Sequence, residues 1–141
     1  MLWVMLNPST ADAEKDDPTI RACMGFTWNQ WGYQGMMVGN LFAFRETSPT
    51  ALFKAAKAAN DIVGPENDRW LSEMARDAAI VVLAWGANVE RTKQSIYRAS
   101  AVESMFRSWH RNVWTLGVTK DGHYKHPLMQ KYDTPLIEAW K

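Results

Sequence analysis

Two asparagines and a histidine stand where this chain can meet a planar, polar ligand. Asn7 follows the apolar run Leu2-Trp3-Val4-Met5-Leu6 and precedes Pro8, Ser9, Thr10 and Asp12. Asn40 closes Gly35-Met36-Met37-Val38-Gly39, and His126 opens His126-Pro127-Leu128. A carboxamide both donates and accepts hydrogen bonds, and an imidazole does either according to its tautomer. Such groups suit the edge of a heterocycle. A short apolar run ending in Asn-Pro reads as a buried strand passing into a loop, since proline cannot donate to a ladder. In open α/β sheets, ligands bind beyond the carboxyl ends of the strands, which puts Asn7 and its polar neighbours in the usual position for chemistry. Asn-Pro is equally an ordinary turn initiator.

The elements that must position these residues alternate between strand and helix patterns. Asp17-Pro18 is a helix start, with Asp17 as N-cap and Pro18 at the first position, and its apolar face continues through Ile20, Cys23, Met24 and Phe26. Thr47-Ser48-Pro49-Thr50 opens an alanine-rich helix over 51–60. Gly64-Pro65-Glu66-Asn67 opens another, with Trp70, Leu71, Met74 and Ala75 on one stripe. Ala79-Ile80-Val81-Val82-Leu83-Ala84 is the clearest buried strand and ends at Trp85-Gly86. The longest helix runs over 91–109, its apolar positions Val102, Met105, Phe106 and Trp109 recurring at helical spacing. Val113-Trp114-Thr115-Leu116-Gly117 is a fourth strand, and Thr134-Pro135 starts a last helical turn. Helical crossovers imply a four-stranded parallel sheet in a three-layer α/β/α arrangement. Asn7, Asn40, Trp85 and the loop after Leu116 then share one rim.

Composition narrows the function classes. The chain has 141 residues, 47% of them hydrophobic and 22% charged, which predicts one globular domain with a real core. Sixteen basic and fifteen acidic residues give a net charge of +1, so nothing attracts a polyanion globally. Cys23 is the only cysteine, which excludes an internal disulfide. Neither a bilayer-spanning run nor a signal segment is visible, so the expected address is cytoplasmic, with no membrane partner. Residue 1 falls almost inside the first strand, which predicts that a short N-terminal segment is missing.

Metal chemistry finds little support. His123, His126 and Asp121 lack a carboxylate or cysteine pattern that completes a site, and Asp17 of the group Asp12, Asp16 and Asp17 is engaged in capping. No metal or cofactor is expected. Arg45, Arg91 and Lys120 form a candidate phosphate clamp, or simply a solvated surface. Gly64-Pro65-Glu66-Asn67-Asp68 has a backbone suited to an anion, but its side chains are acidic. Trp70 and Trp109 are expected in the core, and Trp28, Trp31 and Trp85 near a pocket.

The chain resembles the DUF1643 family (domain of unknown function 1643). The resemblance lies in Leu6-Asn7-Pro8-Ser9-Thr10-Ala11-Asp12, Asp17-Pro18-Thr19-Ile20, Asn40-Leu41-Phe42-Ala43, Gly64-Pro65-Glu66-Asn67-Asp68, Ala84-Trp85-Gly86 and His126-Pro127-Leu128. It covers nearly the whole chain and states no activity. A more distant resemblance is to the uracil-DNA glycosylases, α/β enzymes that hydrolyse the N-glycosidic bond of a flipped base. Asn7-Pro8 is similar to their first motif, Phe26 to the residue that stacks on the base, and Asn40 to the asparagine that reads its edge. Leu83-Ala84-Trp85-Gly86 and His126-Pro127 resemble two further motifs.

This second resemblance implies catalytic roles for Asn7, which would position water, and His126, which would stabilise the departing base. It also implies a binding surface of Pro8, Ser9, Thr10, Phe26, Asn40 and Trp85. The ligand would be a nucleobase, nucleoside or nucleotide, with nucleic acid as a further partner. Two departures weigh against duplex DNA. Leu128 follows Pro127 directly, where the glycosylase motif places a wedging leucine later, and Asp12, Asp16 and Asp17 would repel phosphate.

The alternatives are a non-catalytic nucleotide or nucleic-acid binding module, and an interaction protein using Trp28 and Trp31 as an apolar patch. Each residue also has a purely structural role open to it: Phe26 in the core, Asn40 as a loop cap, His126 in a His-Pro turn.

Overall fold

Among the described residues, alternating apolar segments and capped helices assemble into a mixed α/β fold with a five-stranded sheet and four α-helices. The computed structural model describes residues 1–8, 17–58, 60–109 and 112–140. In chain order the elements are β1 (Leu2–Met5), α1 (Pro18–Met24), β2 (Met37–Asn40), α2 (Pro49–Lys57), α3 (Asn67–Asp77), β3 (Val81–Leu83), α4 (Lys93–Trp109), β4 (Val113–Thr115) and β5 (Ile137–Glu138). The sheet order is β2-β1-β3-β4-β5. β1 pairs in parallel with both β2 and β3, β3 pairs in parallel with β4, and β5 runs antiparallel to β4. The chain therefore steps from β1 to one side and later returns to its other side. That reversal lies between β1 and β3, where the loops following adjacent strands diverge and leave a crevice.

Strand parity decides which residues face which helices. Leu2 and Val4 of β1 join Val81, Leu83 and Val113 in one cluster, which is covered by Leu52 of α2, Leu71 and Ala75 of α3, and Val102 and Phe106 of α4. Trp3 and Met5 point to the opposite face and pack with Val82, Ala84, Cys23 and Phe26. Helices thus cover both faces. On the second face, α1 continues as a π-helical turn, Gly25–Gln30. This turn buries Thr27, whose Oγ1 accepts a hydrogen bond of 2.9 Å from Trp3 Nε1. The indole N–H would otherwise be unpaired in the interior, a cost of roughly 1–3 kcal/mol.

Two helix starts follow from their caps. Asp17 accepts from Thr19 N at 2.9 Å and from Ile20 N at 3.4 Å, with Pro18 in the first position where no N–H is needed. Ser48 accepts from Ala51 N at 3.1 Å, again ahead of a proline.

Three expectations are corrected. The sheet has a fifth strand, because Ile137–Glu138 lies antiparallel on β4 where a helical turn from Pro135 was expected. Trp70 is 51% exposed and Trp109 46% exposed, so neither belongs to the core. Leu71 and Ala75 carry the buried stripe of α3, and Trp70, one residue out of phase, sits beneath the Arg69 guanidinium at 5.1 Å. On α4, Val102 and Phe106 are buried, while Trp109 meets Phe106 only edge-on. Among the described residues, no helix is long and apolar enough to cross a membrane.

Candidate functional site

The loops after β1, β2 and β3 surround a cavity of about 550 Å³, within the range of small-molecule sites. Asn7, Pro8, Asn40, Trp85 and His126 all line it. The start of α1 supplies Asp17 and Thr19 to its wall, and the loop after β2 supplies Arg45 and Glu46.

Asn7 is fixed by the chain segment opposite it. Its Nδ2 donates to Glu46 O at 2.8 Å, with longer contacts to Pro8 O at 3.1 Å and Phe44 O at 3.4 Å. Carbonyl oxygens only accept, so the amide nitrogen must be the end that faces them. Oδ1, an acceptor, is then the end left for a ligand or water. Pro8 cannot donate, but its carbonyl accepts from Glu46 N at 3.1 Å. The first and second loops are therefore tied together twice, and parallel pairing continues past the strands through Leu41 N to Met5 O and Phe42 N to Leu6 O.

His126 is placed by a short turn and by a glycine. Its side chain caps the 3₁₀ turn Pro127–Met129, with Nδ1 accepting from Leu128 N at 3.2 Å. An accepting Nδ1 carries no proton, so the neutral ring bears its proton on Nε2 and presents a donor there. Burial lowers the His126 pKa from its ordinary value, and the nearby Asp17 carboxylate opposes that shift only in part. The ring is consequently a neutral donor at pH 7. Behind it lies Gly86 at φ 80° and ψ −179°, a backbone region essentially reserved for glycine. A Cβ there would stand 3.1 Å from His126 Cβ. The Trp85-Gly86 pair thus makes room for the imidazole, while Trp85 packs edge-on to Tyr124 and Gly86 N donates to Tyr124 O at 2.9 Å.

Asn40 sits on a polar scaffold that the sequence reading did not identify. Asn67 Nδ2, in the first turn of α3, donates to Asn40 O at 3.0 Å and to Leu41 O at 3.1 Å. Arg98 Nε, from α4, donates to the same Leu41 carbonyl at 2.7 Å. The buried guanidinium is balanced by Asp68, whose Oδ1 lies 2.7 Å from Nη2 but out of line for a hydrogen bond. Two helices therefore grip the end of β2 from behind. A signal existed: Arg98 occupies the same helical stripe as Val102 and Phe106, and a cation on an apolar stripe calls for a buried partner.

Other expected residues lie elsewhere. Phe26 is fully buried and does not line the cavity; its ring packs against Trp31 at 5.2 Å, Tyr132 at 5.0 Å and Trp3 at 6.0 Å. No face remains for a ligand. Trp31 stacks in the same cluster, and Trp28 lines a separate depression. Ser9, Thr10, Asp12 and Asp16 lie outside the described residues. Of the basic trio, Arg45 lines the cavity, whereas Arg91 donates to Thr50 Oγ1 at 2.8 Å and Lys120 is not on the wall. His123 pairs with Glu90 at 2.9 Å, apart from His126. Among the described residues, no cluster of three or more His, Cys, Asp or Glu is arranged to hold a metal ion.

The family model described as "Protein of unknown function (DUF1643)" matches residues 1–128, and the chain belongs to that family. No curated protein and no solved structure matches the chain.

Proposed function

We propose that this DUF1643 protein binds a nucleobase, free or as a nucleoside or nucleotide, in the cavity at the carboxyl rim and hydrolyses its N-glycosidic bond. The observation that carries this reading is that Asn7, Asn40 and His126, three separate sequence motifs, line one cavity. Their order along the chain is similar to that of the uracil-DNA glycosylases.

Hydrolysis at the glycosidic carbon needs a placed water and a group that stabilises the departing base. Asn7 Oδ1 would accept a hydrogen bond from the water, its orientation fixed because Nδ2 is held by backbone carbonyls. The water oxygen forms the new bond to the sugar carbon as the carbon–nitrogen bond breaks. That bonding pair remains on the base, and the proton released by water finally resides there. His126 Nε2–H, a neutral donor, would stabilise the negative charge as it builds. Asn40 would read the edge of the base, and Trp85 would form part of the wall. Asp17 and Glu46 on the same wall disfavour a phosphate inside the cavity, which fits a base, a nucleoside or a base extruded from its strand, with the phosphates left outside, better than a stacked duplex.

A second reading, a binding module without turnover, draws support from Asn7 itself. Its hydrogen bonds to the Glu46 loop are those of a structural clamp, and no strong base stands at that position. One assay separates the two. The protein, Asn7→Ala and His126→Ala are incubated with labelled oligonucleotides carrying single modified bases and, separately, with nucleosides, and released base is quantified. The catalytic reading expects release by the wild type and a loss on the order of 10²-fold in His126→Ala. Absence of release by the wild type rejects it, and calorimetric titration with the same nucleosides then decides the binding module.

A further inference from the structure

Leu128 borders more than the main cavity. A second depression of about 260 Å³ shares Leu128 with it and is bounded by Pro18, Arg21, Pro127 and Tyr132. A third, of about 360 Å³, shares Arg21 and Tyr132 with the second and ends at Trp28. The three are consecutive along α1 and its π-helical continuation. We infer that they form one groove that seats a single-stranded polynucleotide, whose flanking bases stack on Tyr132 and Trp28 while one base occupies the cavity at Asn40 and His126. This inference rests on the nucleobase reading of the main cavity and specifies the polymer to which that base belongs.

Three observations carry it. First, both rings are prepared and open. Tyr132 is 53% exposed and Trp28 41% exposed, though large aromatic side chains are ordinarily covered. Tyr132 is nevertheless held in place, against Phe26 on one side and over Gly25, where a Cβ would stand 2.5 Å from the ring. Glycine at position 25 is what lets the ring seat there. The wide turn buries Phe26 and Thr27 and leaves Trp28 outside.

Second, charge changes along the path. Asp17 and Glu46 line the main cavity, whereas the described lining of the two outer depressions contains no acidic residue and Arg21 borders both. Along the described lining of these two depressions a phosphate backbone meets no carboxylate and passes the Arg21 guanidinium. Third, the chemistry selects single strands. Aromatic platforms bind bases through their faces, which are available only when the bases are unstacked, and they do so with little regard to sequence. The slight net charge of the whole protein agrees with a local track rather than a broad basic surface.

The test is fluorescence anisotropy with 5′-labelled homopolymeric hexanucleotides of DNA and RNA, competed by unlabelled hexanucleotides and by the corresponding nucleosides. The wild type is expected to bind hexanucleotides at least ten-fold more tightly than nucleosides. Trp28→Ala and Tyr132→Ala are each expected to lose on the order of ten-fold in hexanucleotide affinity, with nucleoside affinity unchanged and Trp28→Phe largely restoring the loss. Melting temperatures of all variants identify any effect that is mere unfolding, for which Tyr132, packed on Phe26, is the greater risk and Trp28 the safer probe.

Equal affinity for hexanucleotide and nucleoside, or Trp28→Ala without effect on the hexanucleotide, overturns the groove while leaving the cavity reading intact. Hexanucleotide binding that depends on Trp28 but is never competed by nucleosides overturns the cavity reading instead and sustains the groove. No binding of either ligand overturns both.

Discussion

The two ends of α1 face different surroundings although they belong to one helical run. At its start, Asp17 and Thr19 line a cavity whose walls are tied by hydrogen bonds from the Asn7, Asn67 and Arg98 side chains to backbone carbonyls. At its other end, Cys23 and Phe26 are sealed against Trp3 and the sheet. Near the start, a charge matters, since Asp17 counters part of the desolvation felt by His126. At the far end burial dominates, and it pushes the Cys23 thiol up to about 12, so that sulfur is inert as a nucleophile at neutral pH. The contrast teaches that the cavity is positioned by polar ties among loops, while the aromatic cluster behind it supplies stability. Substitutions at the two ends should therefore separate ligand binding from folding.

The largest effect is expected at the sealed end. Phe26→Ala should lower the unfolding free energy by about 3–5 kcal/mol, measured by urea titration, while the folded fraction keeps its nucleoside affinity at the main cavity, which Phe26 does not line. A selective loss of affinity with little loss of stability would break the division. Gly86→Ala, directly behind His126, should cost about 1–3 kcal/mol from backbone strain and also weaken nucleoside binding, because the new Cβ pushes on the imidazole. Asn67→Ala should cost about 1–2 kcal/mol by removing a donor from the Asn40 and Leu41 carbonyls, with a further loss of affinity at the cavity as Asn40 shifts.

The pH dependence gives a directional test. Because burial lowers the His126 pKa below its ordinary 6.5, the folded protein binds that proton less readily than the unfolded chain. The stability at stake is present in full above pH 6.5 and is lost as the pH falls below it. His126→Gln should flatten that part of a stability–pH curve measured by thermal melting. The smallest effect is expected on the outer face of α3, where Trp70→Ala should change stability by about 1 kcal/mol or less, since its ring is half exposed and its cation–π contact with Arg69 lies at the surface.

Much of this architecture was legible in local patterns, because the forces involved are local. The runs at 2–6 and 79–84 are apolar enough to be strands buried on both faces, and Asp17-Pro18 and Ser48-Pro49 carry their own capping chemistry. Placing Asn7, Asn40, Trp85 and the loop after Leu116 at strand ends implies one rim, and Asn7, Asn40, Trp85 and His126 line one cavity. What escaped depends on partners distant in sequence. Asn67 and Arg98 meet at the Leu41 carbonyl, and although the place of Arg98 on an apolar stripe calls for a buried partner, nothing near it in sequence says which one. Ile137–Glu138 is too short to show alternation, so Thr134-Pro135 read as a helix start, and only the open edge of β4 makes it a strand. Phe26, given a binding role by resemblance, takes the core place that its apolar stripe leaves open, whereas Trp70, expected in the core, lies outside it. The buried stripe of α3 runs through Leu71 and Ala75, and a residue one step off it turns toward solvent.

The clamp at Asn7 has a consequence for how the protein ages. Asparagine commonly deamidates when the backbone nitrogen of the next residue attacks its side-chain carbonyl, a route that requires an N–H. Pro8 has none, so this route is closed at the one asparagine whose conversion to aspartate would set a carboxylate against the carbonyls of Pro8, Phe44 and Glu46. The proline that ends the first strand also preserves, over the lifetime of the molecule, the amide that ties two walls of the cavity together.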